Sequence, residues 1–105
     1  MEKTPLYKIF ISDRARQMLG AHIRFVANVN KEAAQRTKAD IMKAIRALAT
    51  MPERYTFLDA EYIPRNKYHK VFVEKWYLIL FQIKDQTIHV DYIVDCRQDY
   101  HWLMK

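Results

Sequence analysis

The sequence predicts one α+β domain: an N-terminal strand, a helical hairpin, then an antiparallel three-stranded meander forming one sheet with the helices on one face, and a short C-terminal helix. Three observations predict it. Apolar residues recur at three- and four-residue steps between Asp13 and Thr50, and strand-like runs fill the stretch after Lys67. The third is size: 105 residues, 50% of them hydrophobic, supply one packed core and little else, so residues 1–105 are read as a single domain.

The elements follow in chain order. Tyr7 to Ile11 is short, apolar and β-prone, preceded by Pro5 and followed by Ser12-Asp13, both good helix N-caps. Ala15, Met18, Leu19, His22, Val26 and Val29 then form one stripe, with Arg14, Arg16, Gln17 and Arg24 opposite, which predicts a first helix from Asp13 to Asn28. Asn30 caps a second, with Ala34, Thr37, Ile41, Ala44, Ile45 and Leu48 on one face and Lys31, Lys38, Lys43 and Arg46 outside. It stops near Thr50, because Pro52 restricts Met51 to extended backbone.

Residues 53–66 have no clear period and read as a connection. Lys67 to Glu74 is strand-like around Val71, Phe72 and Val73; Tyr77 to Ile83 is apolar on both faces and therefore central; Ile88 to Val94 alternates. The short links Glu74-Lys75-Trp76 and Lys84-Asp85-Gln86-Thr87 make these an antiparallel meander. Leu78 and Leu80 face one side and Ile79, Phe81 and Ile83 the other, so both sides need covering. Residues 97–104 are read as a terminal helix folding Tyr100, Leu103 and Met104 onto the sheet.

Composition narrows the functional classes. A single cysteine, Cys96, excludes an internal disulfide and a Cys-rich zinc site, and no His pair has helical zinc spacing, so no metal is expected. One glycine leaves no phosphate-cradling loop, and no cofactor is expected. One Cys and five Met suit a reducing cytoplasm, and charges within Met1 to Phe10 with no long apolar run predict a protein neither secreted nor membrane-spanning. The net charge of +6 is uneven: residues 1–52 hold ten Lys/Arg against four Asp/Glu, and residues 53–105 hold eight of each. A basic first half attracts nucleic acid or an acidic protein.

The element order, together with the Tyr-led apolar strand, polar turn, alternating strand and Arg-containing tail of Tyr77 to Asp99, resembles the RelE/ParE superfamily of bacterial toxins over nearly the whole chain. The resemblance implies a toxin held inactive by a cognate antitoxin. RelE-like members cleave mRNA on the ribosome, whereas ParE-like members inhibit DNA gyrase and are not nucleases. The antitoxin is expected to lie across Trp102, Leu103 and Met104, an apolar tail.

Metal-free RNA cleavage needs a base for the ribose 2′-hydroxyl, cations for the phosphorane and an acid for the leaving oxygen. Lys67, His69, Arg97, Tyr100 and His101 are the candidates for these roles, with Lys67 and His69 on one side of their strand. RelE-like toxins carry lysines at alternate positions of that strand, and Tyr100-His101 inverts the His-Tyr ending of YoeB toxins. Arg65, Lys70, Lys75, Lys43 and Arg46 are the candidate nucleic-acid contacts. Trp76 and Trp102 offer stacking surfaces for bases or pockets for a partner's side chain.

One departure stands out. RelE and YoeB carry an arginine directly after the residue opening the third strand, and here that residue is Leu78. Losing such a cation removes ~2–4 kcal/mol of transition-state stabilisation, by analogy with oxyanion donors. The favoured expectation is a ribosome-dependent mRNA interferase. The alternative is a ParE-like gyrase inhibitor without nuclease activity. A basic module binding nucleic-acid backbones through Lys31, Lys38, Lys43 and Arg46 is a third.

Overall fold

The computed structural model describes residues 6–59 and 63–97. Strand β1 (Lys8–Ile11) leads into helices α1 (Asp13–Ala27) and α2 (Lys31–Ala47), a 3-10 turn (Pro52–Arg54), and strands β2 (His69–Val73), β3 (Tyr77–Lys84) and β4 (Thr87–Asp95). The four strands form one sheet in the order β1-β4-β3-β2, with β1 parallel to β4 and the other pairs antiparallel. The predicted strand, hairpin and meander are all present. The terminal helix expected over 97–104 falls mostly outside the described residues.

Both helices start where their caps predict. The Ser12 hydroxyl accepts from the Ala15 N–H at 3.0 Å, and Asn30 Oδ1 accepts from the Ala33 N–H at 2.9 Å, each satisfying a donor the first turn leaves free. The inner faces of the helices, through Ala15, Ile41, Ile45 and Leu48, pack on Tyr77, Ile79, Phe81, Ile88, Val90 and Ile93 of the sheet. Val29, assigned to the apolar stripe, is instead exposed in the turn between the helices, because α1 ends at Ala27.

The opposite sheet face is covered at one end. Leu78, Leu80 and Val94 lie beneath Leu58 and Tyr68, with Ile63 and Tyr92 alongside. Residues 56–58 therefore do more than connect. The Leu58 N–H donates to the Tyr68 carbonyl at 2.7 Å, the Lys70 N–H donates to the Thr56 carbonyl at 2.9 Å, and Phe57 bridges to His69. This partial rung shields the start of the β2 edge.

A bulge on β4 explains how that strand serves both faces. Leu80 pairs with Tyr92 and Phe81 with Val90, which leaves Asp91 as the extra residue. Its insertion switches the phase, so Ile88, Val90 and Ile93 all reach the helix-side core although strict alternation would separate Ile93 from the other two.

The β1 ladder ends at Val90, and α1 takes over the hydrogen bonds of the exposed β4 edge. The Ser12 N–H donates to the Val90 carbonyl at 3.0 Å, and its hydroxyl to the Asp91 carbonyl at 3.2 Å. One strand step on, His22 Nε2–H donates to the Ile93 carbonyl at 2.8 Å, and a carbonyl acceptor requires that nitrogen to carry the proton.

The turn after α2 corrects the expectation for Met51. It adopts left-handed backbone (φ 50°, ψ 55°), not extended. Proline excludes the right-handed helical region for its predecessor; the left-handed well is the other way to reverse the chain, at a steric cost.

Candidate functional site

The structure places Lys67, His69 and Arg97 of the residues expected to cleave RNA, and Lys67 and His69 stand in different surroundings. His69 was expected to share an open strand face with Lys67, but it is only 8% exposed. Its ring stacks on Phe57 at 4.1 Å and on Phe81 at 5.2 Å between centroids, and its Nδ1–H donates to the Tyr55 carbonyl at 2.7 Å. Both flanking aromatics and one ring nitrogen are thus committed to packing. Lys67 precedes β2, exposed, its ammonium 5.5 Å from the centre of the Tyr68 ring. The two do not line one cleft.

The candidate nucleic-acid contacts scatter. Lys43 and Arg46 are exposed on α2, Arg65 stands in the turn before β2, Lys70 is half-buried on β2, and Lys75 is exposed in the β2–β3 turn. Tyr100, His101, Trp102, Leu103 and Met104 lie outside the described residues. His89 meets Phe10 edge-on at 5.8 Å on the sheet face away from the helices.

One candidate sits in a built cluster. Arg97 forms a forked ion pair with Asp95: Nε donates to Oδ1 and Nη2 to Oδ2, both at 3.2 Å, and the Arg97 N–H also donates to Oδ1 at 2.9 Å. Asp95 is 1% exposed, while the Arg97 side chain is 44% exposed. Nη2 reaches the Tyr77 hydroxyl at 3.3 Å, and the guanidinium lies 5.2 Å and 5.7 Å from the Trp76 and Tyr77 ring centres. A planar cation is thus held on three sides.

The electrostatics follow from that geometry. Hydrogen bonding to Asp95 strengthens the hold of Arg97 on its proton. Burial, reinforced by the Asp95 carboxylate, raises Tyr77 above the ordinary phenol range, so it remains neutral and is a poor base. Tyr68 is pushed up to about 12, first by burial and then by Asp91. In the neighbouring turn, burial and the Asp40 carboxylate raise Glu74, opposed by the hydrogen bond it accepts from the Thr37 hydroxyl at 3.0 Å.

A second feature escaped the sequence reading. Ile11, Arg16, Leu19, Gly20, Ile23, Lys38 and Met42 line an open groove of about 430 Å³ between the helices and the end of β1. Its floor is apolar and its rim carries Arg16 and Lys38. The available signal was Gly20, a glycine inside an otherwise regular helix, where a missing side chain opens space.

The sequence profile of a family described as the ParE toxin of the type II toxin–antitoxin system, parDE, matches residues 9–100. No curated protein sequence matches the chain significantly. Among solved structures, a chain of the chromosomal ParDE TA system from P. aeruginosa superposes with a TM-score of 0.70 at 17% identity, covering 88% of this chain and 98% of that one. Two structures of TrmO from Pseudomonas aeruginosa give TM-scores of 0.52 and 0.50 at 13% and 12% identity, covering 90% and 89% of this chain and 35% of each of theirs. At such identities the structural likeness is one of fold.

Proposed function

The chain belongs to the ParE toxin family of type II toxin–antitoxin systems, and from that premise we propose that it arrests growth by binding a protein target, DNA gyrase, without cutting RNA. A cognate antitoxin is its partner. The observation that carries this reading is the burial of His69 between Phe57 and Phe81, with Nδ1 spent on the Tyr55 carbonyl. Among the described candidates, the histidine suited to general acid–base work is a packing element at the far end of β2 from Arg97.

Leu78 supports the same conclusion. It stands where RelE and YoeB toxins hold a phosphate-binding arginine, and it is buried beneath Leu58 and Tyr68 with Leu80 and Val94. Arg97, which reaches the Tyr77 hydroxyl at the start of that strand, is paired with Asp95 and offers less to a phosphate than an unpaired arginine.

The antitoxin is assigned to the groove between α1, α2 and the end of β1. An amphipathic segment with aliphatic side chains for Leu19, Ile23 and Met42 and carboxylates for Arg16 and Lys38 complements its lining. Contacts with Trp102, Leu103 and Met104 would extend that interface.

Expression of the toxin without its antitoxin provides the test. Growth arrest with full-length mRNA in primer extension is expected, and codon-positioned cleavage early after induction would overturn the reading in favour of a ribosome-dependent mRNA interferase.

A further inference from the structure

The β2–β3 turn is built at a steric cost and anchored at several points. Glu74 and Lys75 are consecutive non-glycine residues with left-handed backbone, φ 54° and 70°. Each such residue costs about 1–2 kcal/mol, and a pair persists only where its surroundings hold it. The Glu74 carboxylate accepts from Thr37 of α2, and the Trp76 carbonyl accepts from the Cys96 N–H at 2.8 Å, tying the turn to α2 and to the end of β4.

What this anchoring presents is Trp76, 46% exposed, with its ring against the guanidinium of Arg97. Arg97 is itself fixed by the buried Asp95 and by Tyr77. An indole and a planar cation are therefore held rigidly, side by side and open to solvent. Binding loses little rotamer freedom there, which is the usual condition for a hot spot rich in Trp and Arg.

The topology gathers more around it. His22 of α1 touches Tyr77 and the Ile93 carbonyl, and Thr37 of α2 touches Glu74, so the helical turn after Ala27 lies at this end of the sheet. Phe25 and Val29 are exposed there. Lys31, Arg36 and Lys75 are exposed at the same end, beside the exposed carboxylates of Glu32 and Glu74, whereas Asp95 is buried in its ion pair. The surface is apolar, and Lys31, Arg36, Lys75 and Arg97 outnumber Glu32 and Glu74 around it, so its complement is an acidic protein surface with an apolar pocket.

We propose that the Trp76–Arg97 platform is the surface that grips the toxin's target protein, with the indole entering an apolar pocket, the Arg97 guanidinium packing beside it and Lys75 meeting a carboxylate. The proposal rests on the gyrase reading above. No residue of the platform lines the α1–α2 groove, so the two surfaces can be altered separately.

The test uses purified full-length toxin in two assays, gyrase supercoiling and binding to the cognate antitoxin, with wild type, Trp76→Ala, Lys75→Glu and, as a control, Phe72→Ala. Phe72 is an equally exposed aromatic on β2 outside the platform. Expected is a rise of about tenfold or more in the concentration of Trp76→Ala needed to inhibit gyrase, a smaller rise for Lys75→Glu, and no change for Phe72→Ala. Antitoxin affinity should stay within about threefold throughout, which also shows that the variants fold.

Trp76→Ala inhibiting as well as wild type overturns the platform and leaves the gyrase reading standing. Trp76→Ala losing antitoxin affinity by the same factor assigns the surface to the antitoxin and also overturns it. Wild type that leaves gyrase untouched removes the gyrase reading, and the platform falls with it.

Discussion

His69 donates its Nδ1–H to the main-chain carbonyl of Tyr55 at 2.7 Å, and this bond fixes the segment before β2 against the sheet. The imidazole fills the space between Phe57 and Phe81 and satisfies a carbonyl that would otherwise compete for water. His69→Phe keeps the stacking and removes the donor. It should cost about 1–3 kcal/mol in denaturant unfolding, while expression still arrests growth. Loss of toxicity in a variant that remains folded would mean the imidazole takes part in chemistry.

Gly20 lines the α1–α2 groove, and a methyl group there would meet only the flexible end of Arg24, at 3.3 Å. Gly20→Ala should therefore stabilise the protein by up to about 1 kcal/mol through helix propensity. Gly20→Trp should fold and lose antitoxin affinity by at least about tenfold, because the indole occupies the groove. Unchanged affinity in a titration would remove the groove from the antitoxin interface.

Met51 holds a left-handed conformation ahead of Pro52 with its side chain exposed. Met51→Gly relieves the steric cost with little packing lost and should raise stability by up to about 1 kcal/mol; Met51→Val, β-branched, should lower it. Thermal unfolding of the pair tests the backbone assignment, which equal melting temperatures would contradict.

Glu74 is the group that makes stability pH-dependent near the β2–β3 turn. Its carboxyl is raised above the ordinary value of 4.5 by burial and by Asp40, against the opposing bond from Thr37. The folded state therefore favours the protonated form. Its contribution is complete below 4.5 and is lost as pH rises through the raised value. Asp40→Asn removes the neighbouring charge, so its denaturation midpoint should fall less than that of wild type from pH 4.5 upward. Parallel midpoint curves would contradict the pairing.

Much of the fold was legible because local signals agreed. Ser12 and Asn30 marked the helix starts, and the two-sided apolarity of Tyr77 to Ile83 placed β3 inside the sheet with cover on both sides. Two features were not legible, each for a physical reason. The Asp91 bulge leaves no trace in a run that reads as plain alternation. Met51 escaped because proline excludes one backbone region without choosing between the remaining ones.

The site was harder. Lys67 and His69 alternate as cleft residues would, but alternation does not say what lies over the strand. The clue was upstream, in Tyr55 and Phe57, whose rings reach Phe81 and His69. Arg97 was singled out for a phosphate, and its competing partner Asp95 stood two residues away; burial of that carboxylate decides which interaction forms. The groove depends on two helices and a strand end meeting, so only Gly20 hinted at it.

The most direct measurement is DNA supercoiling by purified gyrase titrated with this toxin, alone and after addition of its antitoxin. Loss of supercoiling that the antitoxin reverses, with added mRNA and ribosomes left intact, is the expected result. Unimpaired gyrase at saturating toxin, with the mRNA cut, would contradict the central claim.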